Sequence, residues 1–168
     1  EDSVAGACGC DAPGNGDFFF KKLNMGNKYI RIVAGLYRRT PIVVPDLPSL
    51  RPTPDRVRET LFNWLNHLWR GEFAGKQALD LFAGSGALGF EAASRGMSHV
   101  QMVENNKHAA HALRQVRDKL KSDVVHIHTG DALEALQRLT GSRYDLILLD
   151  PPFGQEWLPR LWPLLPKV

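Results

Sequence analysis

Three glycines follow an acidic residue in the middle of the chain, in the run DLFAGSGALG at residues 80–89. Gly84, Gly86 and Gly89 have the spacing GxGxxG, which brings backbone N–H groups at a helix N-terminus close to the pyrophosphate of nicotinamide and flavin cofactors. A tight structural turn would need the same glycines. The run therefore predicts a turn between a strand and a helix, and it favours a bound ligand there.

Two carboxylates lie at the predicted ends of the next two strands. Glu104 comes 20 residues after Gly84, where a carboxylate can accept both hydroxyls of a ribose, a sugar found in NAD and in S-adenosylmethionine. Asp131 could accept the adenine amino group or could cap the following helix. The alternative for Glu104 is an exposed carboxylate at a strand end with no ligand. Together, Glu104 and Asp131 are typical of a site for an adenosine-containing cofactor.

The run Asp150-Pro151-Pro152-Phe153 ends the fourth predicted strand. Its two prolines fix the backbone outside a helix, so carbonyl groups point into the cleft. The exocyclic amine of a nucleobase is a poor nucleophile, because its lone pair is delocalised into the ring. If the Asp150 carboxylate and the Pro151 carbonyl accept its N–H groups, the lone pair is localised toward an electrophilic methyl, while Phe153 stacks on the base. A surface turn is the alternative.

Positive charge is concentrated between residues 28 and 70. The whole chain has a net charge of +3, yet this segment alone carries eight basic and three acidic residues. Most of the basic residues are arginine, which can contact phosphate with two hydrogen bonds. The segment favours nucleic-acid binding, and a solvated basic surface is the alternative.

Composition excludes several classes of protein. With 168 residues, 43% hydrophobic and 23% charged, the chain is typical of one globular domain. No run approaches the roughly 18 to 20 apolar residues of a membrane span, and we expect a cytoplasmic protein. Cys8 and Cys10 have no histidine nearby, so we expect no metal site. We also expect residues 1–24 to be an unstructured, non-native tail before a natural start at Met25.

The chemistry-bearing residues require a particular set of elements. Apolar runs at 29–33 and 41–44 predict a β-hairpin, and Thr53 is predicted to cap a helix that has Pro54 in its first turn. In that helix Val57, Leu61, Trp64, Leu65 and Leu68 form one apolar stripe, which we expect to be core. Alternating strands and helices then predict a parallel sheet covered on both faces. The strands are predicted at 78–82, 99–104, 124–128 and 144–149, and the helices at 87–94, 106–120 and 132–139.

Three motifs stand out along the chain: Arg51-Pro52-Thr53 continued by DRVRETLFN at 55–63, the glycine run continued to Glu91-Ala92, and Asp150 to Phe153. They resemble those of the RsmD-type bacterial 16S ribosomal RNA guanine-N2 methyltransferases. The first motif is the specific one, since many amine methyltransferases share the other two. The resemblance covers residues 30–168. It departs from the family at Arg38-Arg39-Thr40, where relatives commonly have glycine, and in lacking the C-terminal strands of the family fold.

The resemblance implies an α/β, Rossmann-like class I methyltransferase fold. It is a three-layer sandwich around a parallel sheet, preceded by a small N-terminal β-hairpin. The implied organisation is a tail at 1–24, a hairpin and basic connector for RNA at 25–54, and an incomplete methyltransferase domain at 55–168. S-adenosylmethionine is the implied methyl donor, and the acceptor is a guanine of 16S rRNA, free or in a small-subunit assembly particle. The full-length parent is expected to be a monomer.

This interpretation assigns three groups of site residues. The cofactor group is Asp80, Phe82, Gly84, Ser85, Gly86, Glu104, Asp131 and Ala132. The catalytic group around the base is Asp150, Pro151, Pro152 and Phe153. The group for RNA phosphates is Arg31, Arg38, Arg39, Arg51, Arg56 and Arg58.

Other functions are compatible with the same residues. Methyltransferases of DNA adenine or of a protein glutamine amide use a similar Pro-Pro loop, a dehydrogenase would use the glycine loop, and a fragment could bind RNA without catalysis. The fourth strand is apolar on both faces, which is typical of an interior strand. Because the sequence stops 18 residues after Asp150, we expect a fragment of a longer protein, or another element over that edge; an uncovered edge would favour self-association.

Overall fold

The computed structural model describes residues 28–47, 50, 53–152, 154 and 156–168. The predicted tail at 1–24 and the site residues Arg51 and Phe153 lie outside the described residues. At the N-terminal end, β1 (Lys28–Arg31) pairs antiparallel with β2 (Pro41–Val44), with Ile30 opposite Ile42. The predicted hairpin is therefore confirmed, and it leads through a connector into helix α1 (Asp55–Leu68).

A parallel sheet forms the centre of the rest of the chain. Its strands are β3 (Gln77–Asp80), β4 (His99–Glu104), β5 (Val125–Thr129) and β6 (Leu146–Leu148), in the order β5-β4-β3-β6. The helices between them are α2 (Ala87–Ser94), α3 (Lys107–Leu120) and α4 (Ala132–Arg138), and α5 (Trp157–Leu161) with a 3₁₀ turn at Leu165–Lys167 follows. The predicted alternation is confirmed, with strand ends shifted by a few residues.

Two hydrophobic clusters lie on opposite faces of this sheet. Ala78 and Val100 pack with the hairpin and with α1, α2 and α3 on one face, while Leu79 and Val103 pack with α4 and α5 on the other. Alternate strand residues point to opposite faces, so β3, β4 and β6 contribute to both clusters, whereas β5 contributes Val125 and Ile127 to the first. The three-layer sandwich is confirmed. No helix in the described part of the chain is long and apolar enough to cross a membrane.

Strand β6 lies at the edge of the described sheet, where it pairs with β3. This edge position is the one expected for the chain as given, and an interior position in a longer parent protein stays a prediction. Leu146 packs against the first cluster and Ile147 against the second. Both faces of the strand are apolar because each is covered by a helical layer.

Helix α1 buries a different face from the one its apolar stripe predicts. Phe62 and Leu65 are buried, whereas Val57, Trp64 and Leu68 are 53%, 71% and 70% exposed. The expectation that the whole stripe is core is wrong, because a helical period identifies a candidate face but not the surface against which the helix docks. Thr53 is also not the cap, since Pro54 occupies the N-cap position with no side-chain hydrogen bond.

The buried face of α1 includes an arginine. Arg58 is fully buried; it donates to the carbonyl of Arg31 at 2.9 Å, pairs with Asp55, and lies 3.7 Å from the Glu91 carboxylate. A guanidinium with no exposure cannot contact an RNA phosphate. The assignment of Arg58 to RNA is therefore wrong, and its role is to join α1, the hairpin and α2.

Helix α2 holds the loop of the hairpin through two side chains. The buried carboxylate of Glu91 accepts the backbone N–H groups of Val33 at 2.8 Å and Ala34 at 3.1 Å. The hydroxyl of Ser94 accepts from the backbone N–H of Tyr37 at 2.9 Å. Because α2 is also the helix that follows the glycine loop, the hairpin is fastened to the helix that begins at that loop.

Candidate active site

A cavity of about 670 Å³ opens at the carboxyl ends of the four parallel strands. The chain passes from β3 to β4 on one side and later returns to β6 on the other, so β3 lies at a switch point of the sheet, where α/β proteins bind their ligands. The volume is in the range of small-molecule sites. Ten predicted cofactor and base residues line it: Asp80, Phe82, Gly84, Ser85, Glu104, Asp131, Ala132, Asp150, Pro151 and Pro152.

The three glycines of the loop have different roles. Gly84 lines the cavity, and a Cβ on it would lie 3.0 Å from Leu50 of the connector. Gly86 is not among the lining residues: it caps α2 with a φ of 79°, and a Cβ there would meet Leu113 and Phe90 within 2.6 Å. At Gly89 a Cβ would lie 2.4 Å from Met102. The last two glycines therefore allow helix–strand packing, and only the first faces the ligand space.

Asp80 is a buried carboxylate at the end of β3. Its residue is 1% exposed, and neither side-chain oxygen has a hydrogen-bond partner among the described residues. Burial raises the pKa of Asp80 to about 7; the backbone N–H groups of Phe82 and Gly89, neither of which forms a hydrogen bond of normal geometry to the carboxylate, partly oppose the rise, and the charges of Asp150 and Glu104 add to it. A buried acceptor without a partner is costly. This position is therefore suited to a bound donor or cation.

Glu104 links the ends of β3 and β4 through its carboxylate. Oε2 accepts the backbone N–H of Gly84 at 2.8 Å, and Oε1 accepts that of Asn106 at 2.8 Å. Each carboxylate oxygen has a second lone pair, so these bonds orient the group and leave acceptor capacity toward the cavity. The predicted ribose acceptor thus also shapes the glycine loop.

Asp131 is both a helix cap and a cavity residue. One of its oxygens, Oδ1, accepts the backbone N–H groups of Leu133 at 2.8 Å and Glu134 at 3.4 Å, which caps α4. The residue also lines the cavity. The two roles that the sequence left as alternatives are compatible, because a carboxylate has two oxygens.

Asp150 lies at the exposed mouth of the cavity, directly after the strand end. Its Oδ2 accepts a hydrogen bond from the Thr53 hydroxyl at 3.3 Å. Pro151 and Pro152 line the same wall. The acidic Asp-Pro-Pro turn and the glycine loop therefore line one cavity, an arrangement that could bring two ligands together.

Sequence reasoning missed several lining residues: Leu50, Thr53, Asn105, Asn106 and Trp157. Asn106 also caps α3 through Oδ1, a role that its position before the helical pattern could have indicated. Trp157 packs edge-on against Phe82 with ring centroids 5.3 Å apart, and no local pattern predicts that contact. Thr53 belongs to the motif that resembles the family, so a signal was present there.

Four of the predicted RNA-binding arginines are exposed: Arg31, Arg38, Arg39 and Arg56. They lie on the hairpin and at the start of α1, and they are available to phosphate. Within the described ranges, no group of three or more His, Cys, Asp or Glu residues could hold a metal ion.

Comparison with known proteins supports the resemblance seen in the motifs. The family model described as Conserved hypothetical protein 95 matches residues 30–167. Ribosomal RNA small subunit methyltransferase D of Escherichia coli K12 is 39% identical over 138 residues, which cover 82% of this chain and 67% of that protein. Its counterpart in Haemophilus influenzae is 41% identical over 128 residues, covering 74% of this chain and 64% of that protein.

A solved structure agrees with the fold. The putative methyltransferase yhhF from Escherichia coli superimposes with a TM-score of 0.72 at 36% identity, over 82% of this chain and 72% of that one. The chain spans about two thirds of the length of the curated relatives. From the family match and these identities it follows that the chain belongs to the Conserved hypothetical protein 95 family, that of the RsmD-type methyltransferases.

Proposed function

We propose that this protein transfers a methyl group from S-adenosylmethionine to the exocyclic N2 amine of a guanine in 16S rRNA. The observation that carries the proposal is the shared cavity in which the glycine loop and Glu104 face the Asp150-Pro151 turn. The names of the curated relatives, which are small-subunit rRNA methyltransferases, support the RNA class of the substrate.

The residues of the cavity fit the implied cofactor. Asp80 is a buried acceptor that lacks a partner among the described residues, and a cationic ligand would compensate its charge. Glu104 keeps acceptor capacity for the hydroxyls of a ribose, and the absence of a side chain on Gly84 leaves room beside Leu50. When bound, S-adenosylmethionine supplies an electrophilic methyl carbon on a sulfonium. We assign Phe82, Ser85, Asp131 and Ala132 to the same ligand.

The base amine is assigned to the opposite wall. The Asp150 carboxylate and the Pro151 carbonyl would accept its two N–H groups, which localises the nitrogen lone pair for attack. Because Asp150 is at the mouth, a guanine extruded from an RNA strand could reach it. Stacking by Phe153 stays a prediction from sequence.

The exposed arginines would hold the RNA backbone around the mouth. Arg31, Arg38, Arg39 and Arg56 are the described members of this set, with Arg51 as a sequence prediction. Phosphate contacts position the substrate, whereas the cavity selects the base. An rRNA substrate, free or in an assembly particle, would place the protein in the cytoplasm, and we expect it to act as a monomer.

The proposal is tested by locating the transferred methyl group. Labelled S-adenosylmethionine is incubated with small-subunit rRNA and the protein, and nucleosides are identified by mass spectrometry. Asp150→Ala should lower turnover by at least about a hundredfold and leave cofactor affinity nearly unchanged, since it removes positioning of the reacting group. Asp123→Ala is the matched control, because Asp123 is an exposed carboxylate just before β5, at the amino ends of the strands.

Three results would contradict the proposal. Label in DNA adenine or in a protein glutamine, but not in rRNA, would change the substrate class. Label on another position of guanine would change the acceptor atom. Normal turnover by Asp150→Ala would remove that carboxylate from the reaction.

A further inference from the structure

We infer that Thr53 is a positioning residue that holds the Asp150 carboxylate for the base amine. The inference rests on the proposed function, and it adds a residue from outside the strand–helix repeat to the site. Thr53 Oγ1 donates to Asp150 Oδ2 at 3.3 Å across 97 positions of sequence. Both residues line the cavity.

The Asp150 carboxylate needs an external contact to stay in one orientation. It is exposed and follows a strand of only three residues, so its own element restrains its rotation weakly. A carboxylate can accept about four hydrogen bonds. A hydroxyl bond to Oδ2 therefore fixes the plane of the group and leaves acceptor capacity for an amine N–H.

Thr53 can supply that restraint because its own position is fixed by α1. It immediately precedes the cap residue Pro54, whose carbonyl accepts the backbone N–H groups of Val57 at 3.0 Å and Arg58 at 3.1 Å. Arg58, one turn further, is buried and donates to the Arg31 carbonyl of β1 at 2.9 Å. Hydrogen bonds and one turn of helix thus connect the hairpin to Thr53, and through it to Asp150.

This arrangement has a consequence for the substrate. The arginines assigned to RNA lie on the hairpin and on the first turn of α1, and Thr53 lies between them along the chain. Phosphates held by those arginines would therefore be bound by the same segment of chain that orients the carboxylate receiving the base. The same connector contacts the glycine loop, where Leu50 packs beside Gly84.

The test removes the hydroxyl without changing the shape of the side chain. Thr53→Val should lower kcat for rRNA methylation about tenfold, because the variant loses the hydrogen bond that orients the carboxylate receiving the base. KM for rRNA and cofactor affinity should change less than about twofold, because that hydrogen bond does not hold the RNA backbone or the cofactor. Thr53→Ser keeps the hydroxyl and should retain most of the turnover. The matched control is Thr60→Val, because the Thr60 hydroxyl donates to the Arg56 carbonyl within α1.

The double variant Thr53→Val/Asp150→Ala separates positioning from a general structural role. If Thr53 acts through Asp150, the double variant should be no slower than Asp150→Ala alone. An additional loss, or a Thr53→Val enzyme as fast as Thr60→Val while Asp150→Ala is inactive, would overturn the inference and leave the proposed function intact. Full activity of Asp150→Ala would instead defeat the proposed role of Asp150, and the role of Thr53 with it.

Discussion

At the scale of single residues, Asp80 is a cavity carboxylate whose pKa is raised by burial. It is buried without a hydrogen-bond partner among the described residues, and its pKa is raised to about 7, mainly by burial. The folded state therefore keeps a proton that the unfolded chain releases near pH 4. The unfolded state binds fewer protons between these two values, so the free energy of unfolding falls as pH rises through this window.

We predict that Asp80→Asn removes this pH dependence. Between about pH 5 and about pH 8 the wild-type protein should lose about 2 to 3 kcal/mol of unfolding free energy relative to the variant. From about pH 5 to the folded pKa, which is about two pH units, only the folded state holds the proton, and each unit changes the free energy of unfolding by about 1.36 kcal/mol. Urea denaturation of both proteins at the two pH values measures the difference. Parallel pH profiles would contradict the raised pKa.

The same group should make cofactor binding depend on pH. A cationic ligand favours the ionised carboxylate, so affinity for S-adenosylmethionine should increase as pH rises through about 7. Calorimetry should find this increase in the wild type and a flatter profile in Asp80→Asn. An equal slope in both would mean that another group is responsible.

At the scale of elements, the contact between the hairpin loop and α2 determines where the basic surface lies. Gly35 has a φ of +83°, and a Cβ on it would lie 1.8 Å from the Ser94 carbonyl oxygen. That carbonyl accepts the backbone N–H of Leu36 at 2.7 Å. Both sides of this contact are backbone, which cannot rotate away as a flexible side chain can. A side chain at Gly35 must therefore push the loop away from the helix.

We predict that Gly35→Ala lowers the free energy of unfolding by about 2 to 4 kcal/mol, through an unfavourable φ and the loss of the loop hydrogen bonds. Gly75→Ala is the matched control, because Gly75 has a φ of +79° and a Cβ on it would meet no atom of the described residues within 4 Å. Gly75→Ala should lower the free energy of unfolding by about 1 to 2 kcal/mol, because of the backbone conformation alone. Equal losses in thermal or urea denaturation would mean that the loop moves away without cost.

At the scale of the whole molecule, the excess of positive charge and most of the cavity lining come from different parts of the chain. The excess of basic residues lies between residues 28 and 70, whereas most of the cavity lining comes from strand ends later in the chain. Under the proposed function, RNA affinity would come from the hairpin and the start of α1, and the chemistry would come from the sheet. The two functions should therefore respond to different substitutions.

We predict that Arg38→Ala/Arg39→Ala decreases the dependence of RNA affinity on salt. If both arginines contact phosphate, the slope of log affinity against log salt should become shallower by about 1.4 to 1.8, and cofactor affinity should not change. Binding measured at several salt concentrations gives the slope. Arg138→Ala/Arg143→Ala is the control, since both residues are exposed and come from the later half of the chain; the same decrease in that variant would make the effect one of overall charge.

Local sequence was sufficient for most of the elements. The period of two in the strands, the period near 3.6 in the helices and the glycines between them predicted the parallel sheet, because these patterns depend on neighbours along the chain. The strand ends then had to meet at one edge, so Asp80, Glu104 and Asp150 could be assigned to one site from the sequence. The motifs and the family resemblance favoured methyl transfer, with a dehydrogenase and a non-catalytic RNA-binding fragment as the alternatives.

Tertiary structure decided which surfaces meet. Three of the five residues of the predicted stripe, Val57, Trp64 and Leu68, are exposed. Helix α1 docks through Arg58, Phe62 and Leu65, of which only Leu65 belongs to the stripe. An arginine can be buried there because the Arg31 carbonyl, Asp55 and Glu91 supply its partners, and two of these come from other elements. The bond from Thr53 to Asp150 likewise joins residues 97 positions apart. Such contacts depend on the relative placement of elements, and the periodicity of a single segment carries no information about that placement.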